Sequence, residues 1–306
     1  MSYFLQILLS NVMPIIIIIT IGALLYRAFK LDVKTLAKLN FYVFAPAIIF
    51  KLIYESQLTW TTILQVLLFL GVFSISLFVV VEIVCRLKQY NGSMKSAMRN
   101  SVHLYNSGNY AIPLNQLVFA GSTVSLSVQA VVMMTQNLAG NTLGIYSVKA
   151  HKSTFRATIL TILSFPSLYC IPVAFILRGY KIGIIPTLAI PLNYVAEAFV
   201  SVALITLGAQ LGAMKWEIQF SNVFLSNTLR LLVGPALGFL VVWVLGIEGI
   251  VAQALVLSCA VPTSVLCLML AVEFDNEVEF SSQAVLSSTL FSVFTVTIVI
   301  SLLKFI

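Results

Sequence analysis

The chain has 306 residues, of which 60% are hydrophobic and only 9% are charged. A soluble domain of this length needs far more surface charge, so the composition excludes a soluble enzyme or nucleic-acid-binding domain. We interpret the net charge of +7 as a sign of how the loops are distributed between the two sides of a membrane. Apolar runs of roughly 20 residues, enough to cross a bilayer, recur from end to end. Because lipid cannot hydrogen-bond to the backbone, these runs must be helices, and we predict an all-α polytopic membrane protein.

Ten membrane spans are predicted along the chain. The first apolar run is too long for a secretory signal peptide and lacks its basic start and small-residue cleavage site. We therefore expect it to be retained as the first span. The predicted spans are 4–27, 36–54, 60–86, 95–119, 122–148, 156–178, 188–212, 220–245, 249–272 and 282–304.

The basic residues are distributed unequally between the two sides of the predicted bundle. An even number of spans puts both termini on one side. The loops after spans 1, 3, 5 and 7 carry twelve lysines and arginines and the opposite side carries three, with Lys51 and Arg230 inside spans. Basic loops stay in the cytoplasm, so we predict a multi-pass protein of the plasma or inner membrane with both termini outside.

Prolines recur at matched positions in the two halves of the chain. Three pairs are 145 to 152 residues apart and fall in spans 1 and 6, 2 and 7, and 4 and 9. A repeat of five spans is odd, so the second copy must insert upside down, as in many secondary transporters. We predict two inverted five-span repeats, residues 1–150 and 151–306. The pairs are Pro14 and Pro166, Pro46 and Pro191, and Pro113 and Pro262.

Spans 4 and 9 are interrupted near their middle by proline and polar residues. Unwound backbone at this depth is tolerated only where protein buries it or where it lines a cavity. Half-helices that begin near Pro113 and Pro262 present free N–H groups and positive dipole ends, which favour a carboxylate without a fixed cation. The alternative is a pair of ordinary proline kinks. The candidate substrate-binding residues are Asn106, Ser107, Gly108, Asn109, Pro113, Pro262, Thr263 and Ser264.

Gln136 and Asn137 form a polar pair in the apolar fifth span. They either hydrogen-bond to a neighbouring helix or face the same site, and we add them to the candidate substrate-binding residues. His103 lies in span 4 before the break, where we expect a hydrogen-bonded packing residue.

Two charged residues lie deep inside predicted spans. Glu197 is roughly 14 Å into span 7, where it could couple protons or serve as a structural charge partner. Arg230 in span 8 could pair with an anionic substrate or with Glu197, but we expect it to snorkel to the cytoplasmic surface. Lys51 and Glu82 lie near span ends, where we expect them to be solvated.

Motifs of enzymatic chemistry are missing from the sequence. The two aspartates, Asp32 and Asp275, lie in predicted loops, which excludes a paired-aspartate intramembrane protease and argues against a typical sodium/proton antiporter. The two histidines form no HExxH motif, and neither a P-loop nor a GxSxG motif occurs. We predict no catalytic residue, no metal site and no cofactor.

Several short segments stand in a characteristic order along the chain. They begin with Asn-Ser-Gly-Asn-Tyr-Ala-Ile-Pro-Leu at 106–114 and Phe-Ala-Gly at 119–121. In order and spacing they resemble the auxin efflux carrier family over nearly the whole chain. The remaining segments are Gln136-Asn137, 207–212, 229–235, Pro262 with 271–274, and 287–289.

This resemblance implies ten spans in two inverted repeats, with the broken spans 4 and 9 crossing at the site. It also implies a scaffold of spans 1, 2, 6 and 7 and a transport unit of spans 3–5 and 8–10 that moves as an elevator. Prokaryotic members carry malate, malonate and similar acids, whereas plant members export auxin. The chain lacks the long central loop of many plant members, so a malate or malonate permease-like member fits better.

Three functions are compatible with these features. The first is a secondary active or facilitative transporter of small organic anions, either carboxylates such as malate or auxin-like weak acids. Its candidate coupling ions are H⁺ and Na⁺. A homodimer is one candidate assembly, and the sequence leaves the oligomeric state open. The second is a sodium-coupled organic-anion symporter of the bile-acid type. The third is a non-transporting receptor or sensor with a transporter-like fold.

Overall fold

The computed structural model describes residues 3–149, 166–215 and 220–306, in which helices form and no β-strand does. The helices are α1 Tyr3–Phe29, α2 Val33–Tyr54, α3 Trp60–Leu87, α4 Gly92–His103, α5 Ala111–Val118, α6 Thr123–Ala139, α7 Pro166–Gly179, α8 Pro186–Ala213, α9 Ser221–Leu245, α10 Gly249–Ala260, α11 Val265–Glu273 and α12 Val278–Leu302. The turn Gly140–Gly144 and the segment Ile145–Lys149 continue α6.

Within the described ranges, six helices are long and apolar enough to cross a membrane, namely α1, α2, α3, α8, α9 and α12. The apolar helices α7 and α10 are shorter. The prediction of an all-α polytopic membrane protein is therefore confirmed. The count of ten spans stays a prediction, and the predicted sixth span, 156–178, begins outside the described residues.

Three of the long helices contain a π-helical turn that ends two residues before a proline. Proline has no N–H, and its ring clashes with the carbonyl group four residues back. The backbone therefore widens in front of each proline instead of continuing as a regular α-helix. The turns and their prolines are Leu8–Val12 with Pro14, Asn40–Phe44 with Pro46, and Leu229–Val233 with Pro235.

Helices α1 and α8 pack along each other at positions where both carry glycine. A Cβ atom on Gly208 would overlap the backbone carbonyl of Ile19, and one on Gly212 would lie 2.9 Å from the carbonyl oxygen of Ala23. Glycine is required at these positions because the two backbones touch. Among the glycines of the described chain, those between α1 and α8 show the closest approach of two helix backbones.

The helices associate in two groups. Helix α2 packs against α7 and α8, so α1, α2, α7 and α8 form a first helix group. The second helix group consists of α3, α4, α5, α6, α9, α10, α11 and α12, in which α10 contacts α6, α9 and α12. The site described next lies where two pairs of short helices in the second group meet.

Candidate functional site

Two unwound segments cross in the second helix group and hydrogen-bond to each other through their backbones. One joins α4 to α5 and the other joins α10 to α11. The amide of Asn106 donates to the carbonyl oxygen of Pro262 at 2.8 Å, and the amide of Ser264 donates to that of Leu104 at 2.7 Å. Between these bonds Tyr105 and Thr263 form an isolated antiparallel bridge. The polar groups freed by unwinding are thus satisfied within the protein, as membrane depth requires.

The prolines explain where the helices stop and restart. Helix α10 ends at Ala260 because Val261 precedes Pro262 and is extended, with a ψ of 155°. Helix α5 starts at Ala111, so Pro113 is its third residue, where a helix has no use for an N–H donor. The breaks are therefore complete interruptions and not the kinks that formed the alternative interpretation.

Side chains from neighbouring helices hold the crossing in place. The Nε2 atom of Gln129 donates to the carbonyl oxygen of Ser107 at 2.8 Å, and its Oε1 atom accepts from the hydroxyl of Ser258 at 2.5 Å. The hydroxyl of Thr263 donates to the carbonyl oxygen of Ser101 at 2.7 Å. Gln129, which the sequence did not single out, therefore joins α6 to both broken helices.

A cavity of about 580 Å³ adjoins the crossing and is walled by both helix groups. Seven of the ten candidate substrate-binding residues line it, whereas Pro113, Pro262 and Thr263 do not. The seven are Asn106, Ser107, Gly108, Asn109, Gln136, Asn137 and Ser264.

The first helix group contributes polar residues to the cavity that the sequence analysis missed. Asn40, Thr206 and Gln210 line it and are buried. The Nδ2 atom of Asn40 donates to Oδ1 of Asn109 at 2.8 Å. Among the described residues no hydrogen bond reaches Oδ1 of Asn40, Oγ1 of Thr206 or Oε1 of Gln210. A buried polar atom is costly without a partner, so these three oxygens are unused acceptors in residues that line the cavity.

The cavity wall also carries two cations, Lys34 and Lys38, one turn apart at the start of α2. The expectation that the helix ends favour a carboxylate without a fixed cation stays a prediction. The i, i+4 spacing of the two lysines is a signal that the sequence contains. Asp32 caps this helix by accepting from the amide of Lys34 at 3.0 Å, and a hydrogen bond from the hydroxyl of Thr35 is the main cause that lowers the pKa of its carboxyl group.

Arg230 does not snorkel to a surface, and that expectation is wrong. The side chain is fully buried beside the crossing, where Nη1 donates to the carbonyl oxygen of Val102 at 2.9 Å and Nη2 donates to that of Cys259. The guanidinium carbon lies 4.7 Å from the ring centre of Tyr105. The expected direction assumed a regular α-helix, whereas Arg230 lies in the widened turn before Pro235.

Glu197 pairs with Lys51 and not with Arg230. Their charged atoms are 3.4 Å apart, with 67% of the Glu197 side chain and 21% of the Lys51 side chain exposed. The expectation of a solvated Lys51 is thus wrong, and so is that for Glu82. The Glu82 side chain is only 15% exposed and forms ion pairs with Arg86, Lys95 and Arg99. His103 packs as predicted, with Nδ1 3.0 Å from the carbonyl oxygen of Arg99.

A family model described as "Membrane transport protein" matches residues 151–300. Over these residues the chain is similar to this family of membrane transport proteins. The match confirms the resemblance to the auxin efflux carrier family that the sequence motifs indicate. The matched family is one of membrane transporters and not of enzymes, which supports the prediction of a non-enzymatic membrane protein.

Two archaeal proteins are similar to parts of this chain. An uncharacterized transporter of Methanothermobacter thermautotrophicus is 31% identical over 130 residues, which are 42% of either chain. An uncharacterized transporter of Methanocaldococcus jannaschii is 22% identical over 162 residues, 51% of this chain and 52% of the relative. The chain thus spans about half the length of the curated relatives it matches, or less.

Proposed function

We propose that the chain is a secondary transporter of small organic anions, such as malate and other carboxylates or auxin-like weak acids. We propose the cavity beside the crossing as its binding site. The observation that supports this proposal is that residues 104–109 of the unwound segment line the cavity, directly before helix α5 begins at Ala111. In the described ranges, no hydrogen bond from the backbone amides of Gly108 and Asn109 is found. Free amides at a helix start are a natural partner for a carboxylate.

The remaining wall fits the same kind of ligand. Asn106, Asn137 and Asn141 add carboxamide groups, and Lys34 and Lys38 add positive charge. Pockets for small molecules combine an apolar lining with a few convergent polar groups, and this one includes Phe41, Met133 and Leu266 on its walls. An anion with a short carbon skeleton satisfies both parts of the lining.

For the transport cycle we propose an elevator. The first helix group corresponds to the predicted scaffold, spans 1, 2, 6 and 7, and the second to the predicted transport unit, spans 3–5 and 8–10. Ten spans in two inverted repeats and a homodimer complete this proposal. Lys34 and Lys38 lie at the end of α2 that the charge count assigns to the cytoplasm, so we propose that the cavity of this conformation opens to the cytoplasm.

Uptake into proteoliposomes tests this function. We expect the purified full chain to carry radiolabelled malate, malonate or indole-3-acetate, with Asn109→Ala and Asn106→Ala each lowering the initial rate about tenfold, the scale of one hydrogen bond to a charged group. Asn193→Ala, in α8 away from the cavity, is the matched control. Unchanged uptake in both site variants would move the site elsewhere, and absence of flux for all substrates would favour the receptor function.

A sodium-coupled symporter is the second candidate, because three residues that line the cavity have buried oxygens with no hydrogen-bond partner among the described residues. Oxygen atoms of Asn40, Thr206 and Gln210 are ligands of the type that hard cations prefer. Replacing Na⁺ by K⁺ in the uptake buffer decides between the two candidates. Sodium-independent uptake rejects the symporter, whereas uptake that requires Na⁺ and falls in Gln210→Leu supports it.

A further inference from the structure

The crossing brings together four helix ends and one buried cation. Helices α4 and α10 end there, at His103 and Ala260, and helices α5 and α11 begin there, at Ala111 and Val265. Arg230 donates hydrogen bonds to Val102 and Cys259, which are the second-last residues of α4 and α10. The arginine therefore binds the two carbonyl ends and leaves the two amide ends untouched.

The local backbone is adapted to this placement. The π-helical turn Leu229–Val233 carries Arg230, and Gly234 follows directly. A Cβ atom on Gly234 would lie 2.8 Å from Nη2 of Arg230 and 3.1 Å from the carbonyl oxygen of Cys259. Any larger residue would compete with the guanidinium for the space between the two helices.

No carboxylate among the described residues forms an ion pair with Arg230. Glu82 and Glu197 form ion pairs with other lysines and arginines. A buried cation is normally paired with an anion. Here the partners are carbonyl groups at two helix C-termini, each equivalent to about half a negative charge.

The sum of these charges has a direct consequence for the cavity. Two helix starts contribute about half a positive charge each and two helix ends about half a negative charge each, so the four ends alone nearly cancel. Adding Arg230 leaves about one net positive charge at the crossing. Tyr105 lines the cavity and its ring packs against the guanidinium of Arg230, whose side chain is fully buried.

We propose that Arg230 determines the anion preference of the cavity without touching the ligand, by cancelling the negative ends of α4 and α10 so that the positive ends of α5 and α11 act unopposed. This inference rests on the proposed function, since it concerns the charge that the cavity selects. A purely structural tie between the two broken helices is the competing explanation. If Arg230 only holds the two broken helices together, its loss should weaken the binding of charged and neutral ligands equally. If it sets the anion preference, its loss should weaken the binding of charged ligands alone.

Binding of a charged probe and a neutral probe of the same shape separates these explanations. Malonate and malonamide are titrated at constant ionic strength into the full chain in detergent, with thermal unfolding as the readout. We expect Arg230→Gln to weaken malonate binding about tenfold, because the electrostatic attraction of one unit charge in a partly apolar medium extends over several side chains. The weak response to malonamide, which has no charge, should stay unchanged. Arg230→Lys keeps the charge, so its malonate affinity should stay within about threefold of wild type.

Arg27→Gln, an exposed position of α1, is the control for the loss of one charge and should bind malonate as the wild type does. Unchanged malonate affinity in Arg230→Gln overturns the inference while the proposed function stands. The inference is also overturned if Arg230→Gln weakens the binding of malonate and malonamide equally, or if Arg230→Gln and Arg230→Lys lose malonate affinity equally. Either result would mean that Arg230 only holds the two broken helices together.

Two further results are decisive. If Arg230→Gln does not fold, Arg230→Lys decides alone, because retained discrimination supports the inference and lost discrimination overturns it. If wild type responds neither to malonate nor to any carboxylate of the uptake series, the proposed function is rejected and the inference with it.

Discussion

The side-chain amide of Asn40 donates to Oδ1 of Asn109 over 2.8 Å, and this bond connects the first helix group to the unwound segment of the second. Since Oδ1 of Asn109 is used as an acceptor, its amide nitrogen remains as a donor for a ligand. Asn40 thus sets the orientation of a carboxamide that lines the cavity.

Substituting Asn40 should therefore affect anion uptake in a graded way. Asn40→Ala removes the orienting bond, and we expect a fall of about fivefold in malate uptake. Asn40→Asp should be worse, by more than about tenfold, because a carboxylate turns the Asn109 amide around and repels the anion. Initial rates in proteoliposomes measure both, with Asn193→Asp as the charge control. An aspartate variant that is as active as the alanine variant would argue against this orientation.

The two lysines at the cavity wall should act through long-range attraction. Replacing both Lys34 and Lys38 by Gln is expected to raise KM for malate about threefold at low salt, with kcat little changed. The difference should shrink at about 0.5 M salt, where the Debye length is only a few ångströms. Lys88→Gln, exposed beyond the end of α3, serves as control. A salt-independent loss would instead indicate direct contact with the substrate.

The close approach of α1 and α8 predicts a strong difference between two glycines. Gly208→Ala places a methyl group on the backbone of Ile19 and should destabilise the protein by about 2 kcal/mol or prevent folding. Gly71→Ala, in α3, meets nothing within 4 Å and should be neutral or stabilise by up to about 1 kcal/mol through helix propensity. Unfolding in mixed micelles compares them, and equal stabilities would contradict the helix contact.

The two ion-pair sites should differ in their contribution to stability. Glu82→Gln leaves Lys95 and Arg99 without a counter-charge in a largely buried setting and should cost about 2 kcal/mol. Glu197→Gln breaks a half-exposed pair and should cost less than about 1 kcal/mol. Measuring the free energy of unfolding of each variant tests this order. A larger loss of stability in Glu197→Gln than in Glu82→Gln would contradict it.

The same Glu197→Gln variant tests proton coupling. If Glu197 serves only as the charge partner of Lys51, the Glu197→Gln variant should show the same pH dependence of malate uptake as the wild type. A shifted or abolished pH dependence would instead assign Glu197 to coupling. Lys51→Met, which removes the partner and leaves the carboxylate, is the matched comparison.

The sequence predicts both helix breaks because proline and glycine act on the backbone locally. It also identifies four polar residues of the cavity wall that lie in the breaks, and two in span 5. These are Asn106, Ser107, Asn109 and Ser264, and Gln136 and Asn137. The direction of Arg230 was predicted wrongly because the helix geometry assumed for span 8 ignores the turn that Pro235 widens. Asn40, Lys34 and Gln210 could not be assigned, because a sequence pattern does not reveal which helices face a break across the bundle.

The two broken helices are joined by main-chain bonds, of Asn106 with Pro262 and of Ser264 with Leu104. Main-chain bonds do not depend on the identity of the side chains at those positions. The residues that face the cavity are thus free to diverge among related chains while the joint itself persists. Under the proposed function, single substitutions on the cavity wall would change the preferred ligand and leave this main-chain joint intact.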